Sequence, residues 1–180
     1  IEFLKTVDGQ YAKTDVPVDS KAEISGIYRY VGAGGTVKRP TKKGPAVMFN
    51  HVIGHEDSRV LIGLLASRER TGLLLNEKPE NLGFLLNEAV LNPIPPVVIP
   101  NSNAKCQEVV HYAEDEGFDI RKLIPAPTNT PEDAGPYITM GMCYASDPET
   151  EDSDVTIHRL CLQGKDTISM YFVPGARHLG

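Results

Sequence analysis

The chain has 180 residues, of which 41% are apolar and 23% charged, with a formal net charge of −6. That is the composition of a soluble globular protein with room for one domain or two small ones. The acidic balance without a Lys/Arg cluster excludes a general nucleic-acid binder, and no run of about eighteen apolar residues is present to cross a bilayer.

The first residues, Ile1 to Lys5, lack a basic region followed by an apolar one, so no secretory signal is expected and the expected location is the cytoplasm. Asp15 to Asp19 reads as extended, restricted by Pro17. Asp19 or Ser20 is placed to cap a short helix, with Glu23 supplying the reciprocal contact. Gly32 to Gly35 reads as a flexible loop; no strand leads into it and no Lys-Ser/Thr pair follows, so it is not read as a phosphate loop. Lys38, Arg39, Lys42 and Lys43 read as a solvated basic loop. Pro45 to Asn50 reads as a short buried strand. His51 and His55 are four apart, but Gly54 lies between them and no glutamate fills the general-base position, so they are not taken as metal ligands.

Residues 60–66 form an apolar run that suits a buried strand or a buried helical turn. The clearest helix covers about 80–91, because Leu82, Leu85, Leu86, Ala89 and Val90 make one apolar stripe. Four prolines between Asn92 and Pro100 forbid a helix there and mark a domain boundary near residue 100. Val109 and Val110 are strand-like, Asp119 to Ile124 suits a short helical turn, and Pro125 to Pro131 is an irregular lead into the C-terminal strands. Cys106, Cys143 and Cys161 have an odd count and no metal-type spacing, so free thiols are expected, the last two within strands.

Residues 137–145, 154–162 and 167–173 are rich in β-branched and aromatic types, separated by Asp147-Pro148 and by Gln163 to Asp166. An antiparallel meander is expected. Folding each hairpin about its midpoint sets Thr139 beside Leu160 and residue 154 roughly opposite residue 175. Asp154 and His178 then share one end of a hairpin, a carboxylate and an imidazole suited to a divalent ion. Alternation puts Arg159 on the face of Val155, Ile157 and Cys161, where a charge needs a partner or a ligand.

Several motifs in this order resemble the UbiD family of prenylated-flavin-dependent decarboxylases. They are Tyr137 to Thr139, Asp147 to Thr150, Asp154 to Arg159 and Pro174 to His178, with Gly26 to Pro40 and Gly44 to Asn50 upstream. Asp154 to Arg159 and Thr128 to Pro136 are similar to the branch acting on gallate, protocatechuate and 4-hydroxybenzoate. The resemblance implies an α/β (α+β) fold: an N-terminal α/β domain over residues 1–100, then over 101–180 the first strands of an antiparallel split β-barrel that binds flavin. It implies the N-terminal portion of a longer chain, since family members are more than twice this length.

The same resemblance implies a reversible, non-oxidative carboxy-lyase that uses prenylated FMN as electron sink, with a divalent metal (Mn2+ or Mg2+) and K+. Arg159 matches the catalytic arginine. Thr139, Thr156, Ile157, His158, Arg159 and Arg177 match cofactor-side positions, and Asp154 and His178 match metal ligands. Many relatives have Asn where this chain has Asp154. The catalytic glutamates and the third metal ligand are expected beyond residue 180, and Glu149 and Glu151, in a turn, do not replace them. The implied partners are a small aromatic acid, a flavin prenyltransferase that supplies the cofactor, and further copies of the full-length chain; no nucleic acid and no membrane are expected. Two other readings stay open: a non-catalytic flavin-binding module, and a different split-barrel flavoprotein such as a flavin reductase.

Overall fold

A computed structural model describes residues 1–33, 43–150 and 152–172. The chain forms two compact units that interleave in sequence. The first comprises Ile1–Lys13, Tyr28–Met48 and Leu61–Phe118; the second comprises Thr14–Ile27, Phe49–Val60 and Asp119–Gly180.

The N-terminal sheet contains β1 (Tyr11–Thr14), β2 (Ala46–Phe49) and β3 (Val60–Ile62) in the order β1-β2-β3. Ala46 N–H donates to Gln10 C=O and Asn50 N–H to Thr14 C=O, so the numbers climb together and β1 and β2 run parallel. All four residues of β2 are buried, as its unbroken apolar run requires of a central strand. Of the two readings of residues 60–66 the strand is the one formed, and it stops at Ile62, because Gly63 turns the chain at φ +77°.

In the first unit, α1 (Glu2–Lys5) buries Leu4. The helix α2 (Glu23–Ala33), shared by both units, starts later than a cap at Asp19 or Ser20 requires: the Asp19 carboxylate accepts from Lys21 N–H ahead of the helix, and only the expected Glu23 contact forms, with Asp19 N–H donating to Glu23 Oε2 at 2.6 Å. Its end corrects the sequence reading, since Gly32 and Ala33 belong to the helix. Gly32 serves packing there, as a Cβ on it would lie 2.5 Å from the Tyr28 ring. The rest of the expected glycine loop, Gly34 and Gly35, and Lys38, Arg39 and Lys42 of the expected basic loop lie outside the described residues.

A further helix, α3 (Arg68–Leu75), has no apolar stripe, and its only buried residues are Arg70 and Gly72. Its signals are local: the Ser67 hydroxyl accepts from Arg70 N–H, and Asn76 closes it in the left-handed conformation. The helix expected at 80–91 is α4 (Leu82–Leu91), after a 3-10 turn at Pro79–Asn81. Its expected packing is not seen: Leu82 is buried, but Phe84, Leu86 and Val90 are exposed. The proline segment adopts no regular structure, and Val109 and Val110 are exposed and not in a strand.

The second unit is built on β4 (Tyr137–Ser146), β5 (Ser153–Leu162) and β6 (Ile168–Ser169), antiparallel in the order β4-β5-β6; the third strand, expected over residues 167–173, is only two residues long among the described residues, because it pairs with β5 only at Cys161 and Leu162. The approach to this meander is pinned by backbone bonds: Thr128 N–H to Ser20 C=O, Tyr137 N–H to Pro127 C=O, and Leu162 N–H to Pro136 C=O. The short helix α5 (Ile120–Leu123) is capped by the Asp119 carboxylate and tied to the second hairpin by Ile120 N–H on Lys165 C=O. Among the described residues of this unit, the buried apolar ones are Val18, Ile24, Phe49, Val52, Ala126, Cys161 and Leu162. Opposite pairs on the middle of the meander leave one apolar face open: Met142 and Ile157 are 75% and 58% exposed, Tyr144 and Val155 70% and 54%.

Candidate functional site: the bulge opposite Arg159

The register of β4 against β5 changes once. Tyr137 pairs with Cys161 and Ile138 with Leu160, but the next pair is Gly141 with His158. Thr139 and Met140 therefore face the single residue Arg159. Two residues against one is a β-bulge, a device that re-aims side chains. The expected partner of Thr139 was Leu160; the bulge moves it by one, onto Arg159. Symmetric folding of a hairpin counts residues equally on both strands and has no place for the extra one. Gly141 closes the bulge, because a Cβ there would lie 2.7 Å from Leu160 Cδ1 and 3.0 Å from His158 O.

Arg159 is exposed, on the open face with Val155 and Ile157, as alternation required. Thr139 is exposed too. Thr156 and His158 point to the half-buried opposite face, where Thr156 pairs with Cys143 and His158 with Gly141. The His158 ring meets Phe172 edge-on at 5.0 Å. Residues of both parities nonetheless reach one cavity of about 360 Å3, walled by Tyr137, Ile157, His158, Arg159, Cys161, Ser169, Met170 and Tyr171. They can do so because β6 pairs only with Cys161 and Leu162, which leaves the middle of β5 accessible at its edge among the described residues.

Two neighbours of this cavity were not singled out by sequence reasoning. The Asp133 carboxylate accepts from Asn129 N–H and Thr130 N–H, both at 3.0 Å. These bonds, the Thr130 one foremost, hold its pKa below the usual carboxylate value, and the positive charge of Arg159 adds to the effect. The Tyr137 phenol is pushed above its ordinary pKa, first by the Cys161 thiol across the strand pair, and also by burial and by Asp133, against the opposing charge of Arg159. Both stand within motifs already quoted for the resemblance, Asp133 in Thr128 to Pro136 and Tyr137 at the head of Tyr137 to Thr139, and that place was the available signal.

Asp154 stands opposite Ala145, and its carboxylate accepts from Val155 N–H at 2.8 Å. It lines a second cavity together with Asp147 and Asp152, so the hairpin end is rich in carboxylate oxygens. His178 and Arg177 lie outside the described residues. Among the described residues no group of three His, Cys, Asp or Glu converges as a metal cage.

Two family models divide the chain between them. The 3-octaprenyl-4-hydroxybenzoate carboxy-lyase N-terminal domain matches residues 2–90, and the Rift-related domain of the same carboxy-lyase matches residues 97–180. The chain belongs to the UbiD family. It is 53% identical over 180 residues to the gallate decarboxylase of Lactiplantibacillus plantarum, covering all of this chain and 37% of that protein. The apo structure of a 3,4-dihydroxybenzoic acid decarboxylase from Enterobacter cloacae is 55% identical, with a TM-score of 0.90 over 98% of this chain and 36% of that one. The UbiD-class enzyme HmfF from Pelotomaculum thermopropionicum, in an evolved dimeric form in complex with prenylated FMN, is 28% identical, with a TM-score of 0.82 over 96% of this chain and 37% of that one. The UbiD chain thus spans little more than a third of the relatives it matches. No helix among its described residues is long and apolar enough to cross a membrane.

Proposed function

We propose that this chain is the N-terminal part of a reversible, non-oxidative decarboxylase of hydroxybenzoates such as gallate or protocatechuate, working through prenylated FMN. The observation that carries the reading is the bulge, which sets Thr139 across from Arg159 at the mouth of a cavity with aromatic and apolar walls. A cation beside Tyr137, Tyr171, Ile157 and Met170 suits a flat aromatic anion. Identities of 53% and 55% to gallate and 3,4-dihydroxybenzoate decarboxylases support the substrate class.

The residues present fit a flavin. Thr139 and Arg159 are open to solvent on adjacent strands, so a planar anionic group can reach both, and Thr156, Ile157 and His158 continue the same strand. We assign these residues, with Arg177, to holding the cofactor. When bound, prenylated FMN supplies the electron sink for loss of CO2. Arg159 takes the substrate carboxylate through its planar fork, which delivers two parallel N–H donors and fixes orientation as well as charge. Asp133, anchored by two backbone donors, gives Arg159 a nearby negative charge. The acid that reprotonates the ring is assigned to residues beyond 180. Asp154, with His178, is assigned to a divalent ion, Mn2+ or Mg2+, beside the cofactor phosphate; the carboxylate-rich hairpin end supports a cation there. A K+ site belongs to the same proposal.

The open face of Met142, Tyr144, Val155 and Ile157 supports the split-barrel reading, with further strands of the whole protein covering it. A division into domains at residues 1–100 and 101–180 is proposed on the proline segment and on the changeover between family models from residue 90 to 97. The compact units cut across it, since residues 14–27 and 49–60 group with the C-terminal part.

The test is to produce the whole protein together with a flavin prenyltransferase and measure CO2 release from gallate and protocatechuate, with exchange of labelled CO2 as the reverse reaction. Retention of prenylated FMN with no turnover on any hydroxybenzoate would instead establish a flavin-binding module. Nicotinamide-dependent flavin reduction would establish a reductase.

A further inference from the structure

From α4 onward the first unit makes only local bonds. Between Leu86 and Phe118 every hydrogen bond among the described residues joins partners at most four positions apart. A Cβ at Gly83 or Gly117 would meet no atom within 4 Å. The same stretch is apolar: Phe84 and Val90 are exposed, and Ile94, Val97 and Val98 are 92%, 86% and 93% exposed.

Its composition is not that of a solvated linker. Residues 89–104 hold no charge and no glycine, whereas linkers that stay in water are rich in Gly, Ser or charge. Four prolines within residues 93–100 fix φ, and Pro100 stands at φ −60°, ψ 147°, the polyproline II conformation. A segment so restricted loses little further freedom on docking, and grooves lined by aromatic rings bind such segments. Exposed apolar surface that runs on from a helix into such a segment marks an interface.

We propose that residues 84–99 are a docking segment whose occupant is the part of the same chain that follows Gly180 in the whole protein. The inference rests on this chain being the N-terminal part of a longer protein, and not on its chemistry. The chain spans 37% of the gallate decarboxylase and 36% of the 3,4-dihydroxybenzoic acid decarboxylase that it matches, so the larger share of such a molecule lies outside it. The second match covers 98% of this chain, so these residues have a counterpart in that longer chain. An occupant on the same chain acts at a high effective concentration, whereas a second copy has to overcome the entropy of association.

The test is photo-crosslinking in the whole protein with a benzophenone-bearing residue in place of Val98. The expected product migrates as a single chain and joins position 98 to a peptide beyond residue 180. A product of twice the chain mass, a product confined to residues 1–180, or no product overturns the inference and leaves the decarboxylase reading intact, which CO2 release from protocatechuate reads separately. An intact mass showing that the whole protein ends near residue 180 overturns both. Should the variant fail to fold, hydrogen exchange of the whole wild-type protein reads the same cover. The amides of Ile94, Val97, Val98 and Ile99 are expected to exchange about tenfold or more slower than in an unstructured peptide, and equally so after about hundredfold dilution. Peptide-like rates, or slowing that dilution removes, overturn the inference.

Discussion

Two arginines show how differently one side chain can be used. Arg70 is 1% exposed, and its hydrogen bonds go to neutral oxygens: Nε to Leu64 C=O, both Nη atoms to Gly44 C=O, and Nη1 to Gln10 Oε1. Gly44 is itself bonded to Gly32 C=O, and a Cβ on it would lie 2.6 Å from Gly32 Cα. Arg70 therefore locks a glycine contact that tolerates no side chain. Arg70→Ala would leave buried carbonyls without donors and is expected to cost about 3 kcal/mol, read as a lower urea midpoint with unchanged slope. Arg159 is the opposite case, an exposed guanidinium that we assign to a ligand. In the whole enzyme Arg159→Lys is expected to lower kcat by roughly 10²-fold through lost alignment while flavin absorbance of the purified protein persists. Turnover near wild type would remove Arg159 from the catalytic assignment.

Among the elements, the bulge of β4 depends on Gly141. Gly141→Ala brings a methyl against Leu160 and the His158 carbonyl, and is expected to cost about 1–3 kcal/mol. Cross-strand NOEs between residues 138 and 160 should survive, because that pairing lies before the bulge, while those between 141 and 158 should weaken. The helix ends carry the acid sensitivity. The Lys43 hydrogen bond holds the Glu69 carboxyl at the start of α3 down from 4.5 to about 2, and the Arg121 hydrogen bond holds Asp119 at the cap of α5 down from 3.8 to about 2. Both pKa values are depressed in the folded state, so their contribution is complete above the ordinary values and is lost as pH falls from about 4.5 to about 2. The Glu69 side chain is 44% exposed and Asp119 pairs with an Arg121 that is 47% exposed, so salt screens both pairs and the effect is small. Glu69→Gln should lower the urea midpoint near pH 7 and converge with wild type near pH 2; a gap that persists at pH 2 would refute the ion-pair account.

At the scale of the whole molecule, the chain leaves open the apolar face of Met142, Tyr144, Val155 and Ile157, and most of α4. Contiguous exposed apolar surface of this kind favours association. The isolated 180-residue chain is expected to elute as oligomers in light-scattering chromatography, and Met142→Lys with Ile157→Lys should shift it toward monomer. A half-built pocket also lacks the ordering that makes binding favourable. Supplied with prenylated FMN, Mn2+ and K+, the isolated chain should release no CO2 from protocatechuate or gallate above a protein-free control. Multiple turnovers would place the proton donor within these residues.

Local and periodic features were legible in the sequence because their causes are local. The Asp19–Glu23 contact ahead of α2, the α5 turn, the proline break and the three-strand meander all follow from nearest-neighbour sterics and hydrogen bonding. The motifs around Thr139 and Arg159 were legible only through their resemblance to the UbiD family, since local preferences give a strand there and no chemistry. The α3 helix was not, because its face buries Arg70 and Gly72 instead of an apolar stripe, and only Ser67 and Asn76 mark its ends. Nor was the bulge, since an extra residue in one strand changes no local preference and shows only once both strands are paired. The helix α4 reverses the case: its apolar spacing predicted the element correctly but not its surroundings, because periodicity specifies which face seeks burial and tertiary structure decides whether anything covers it.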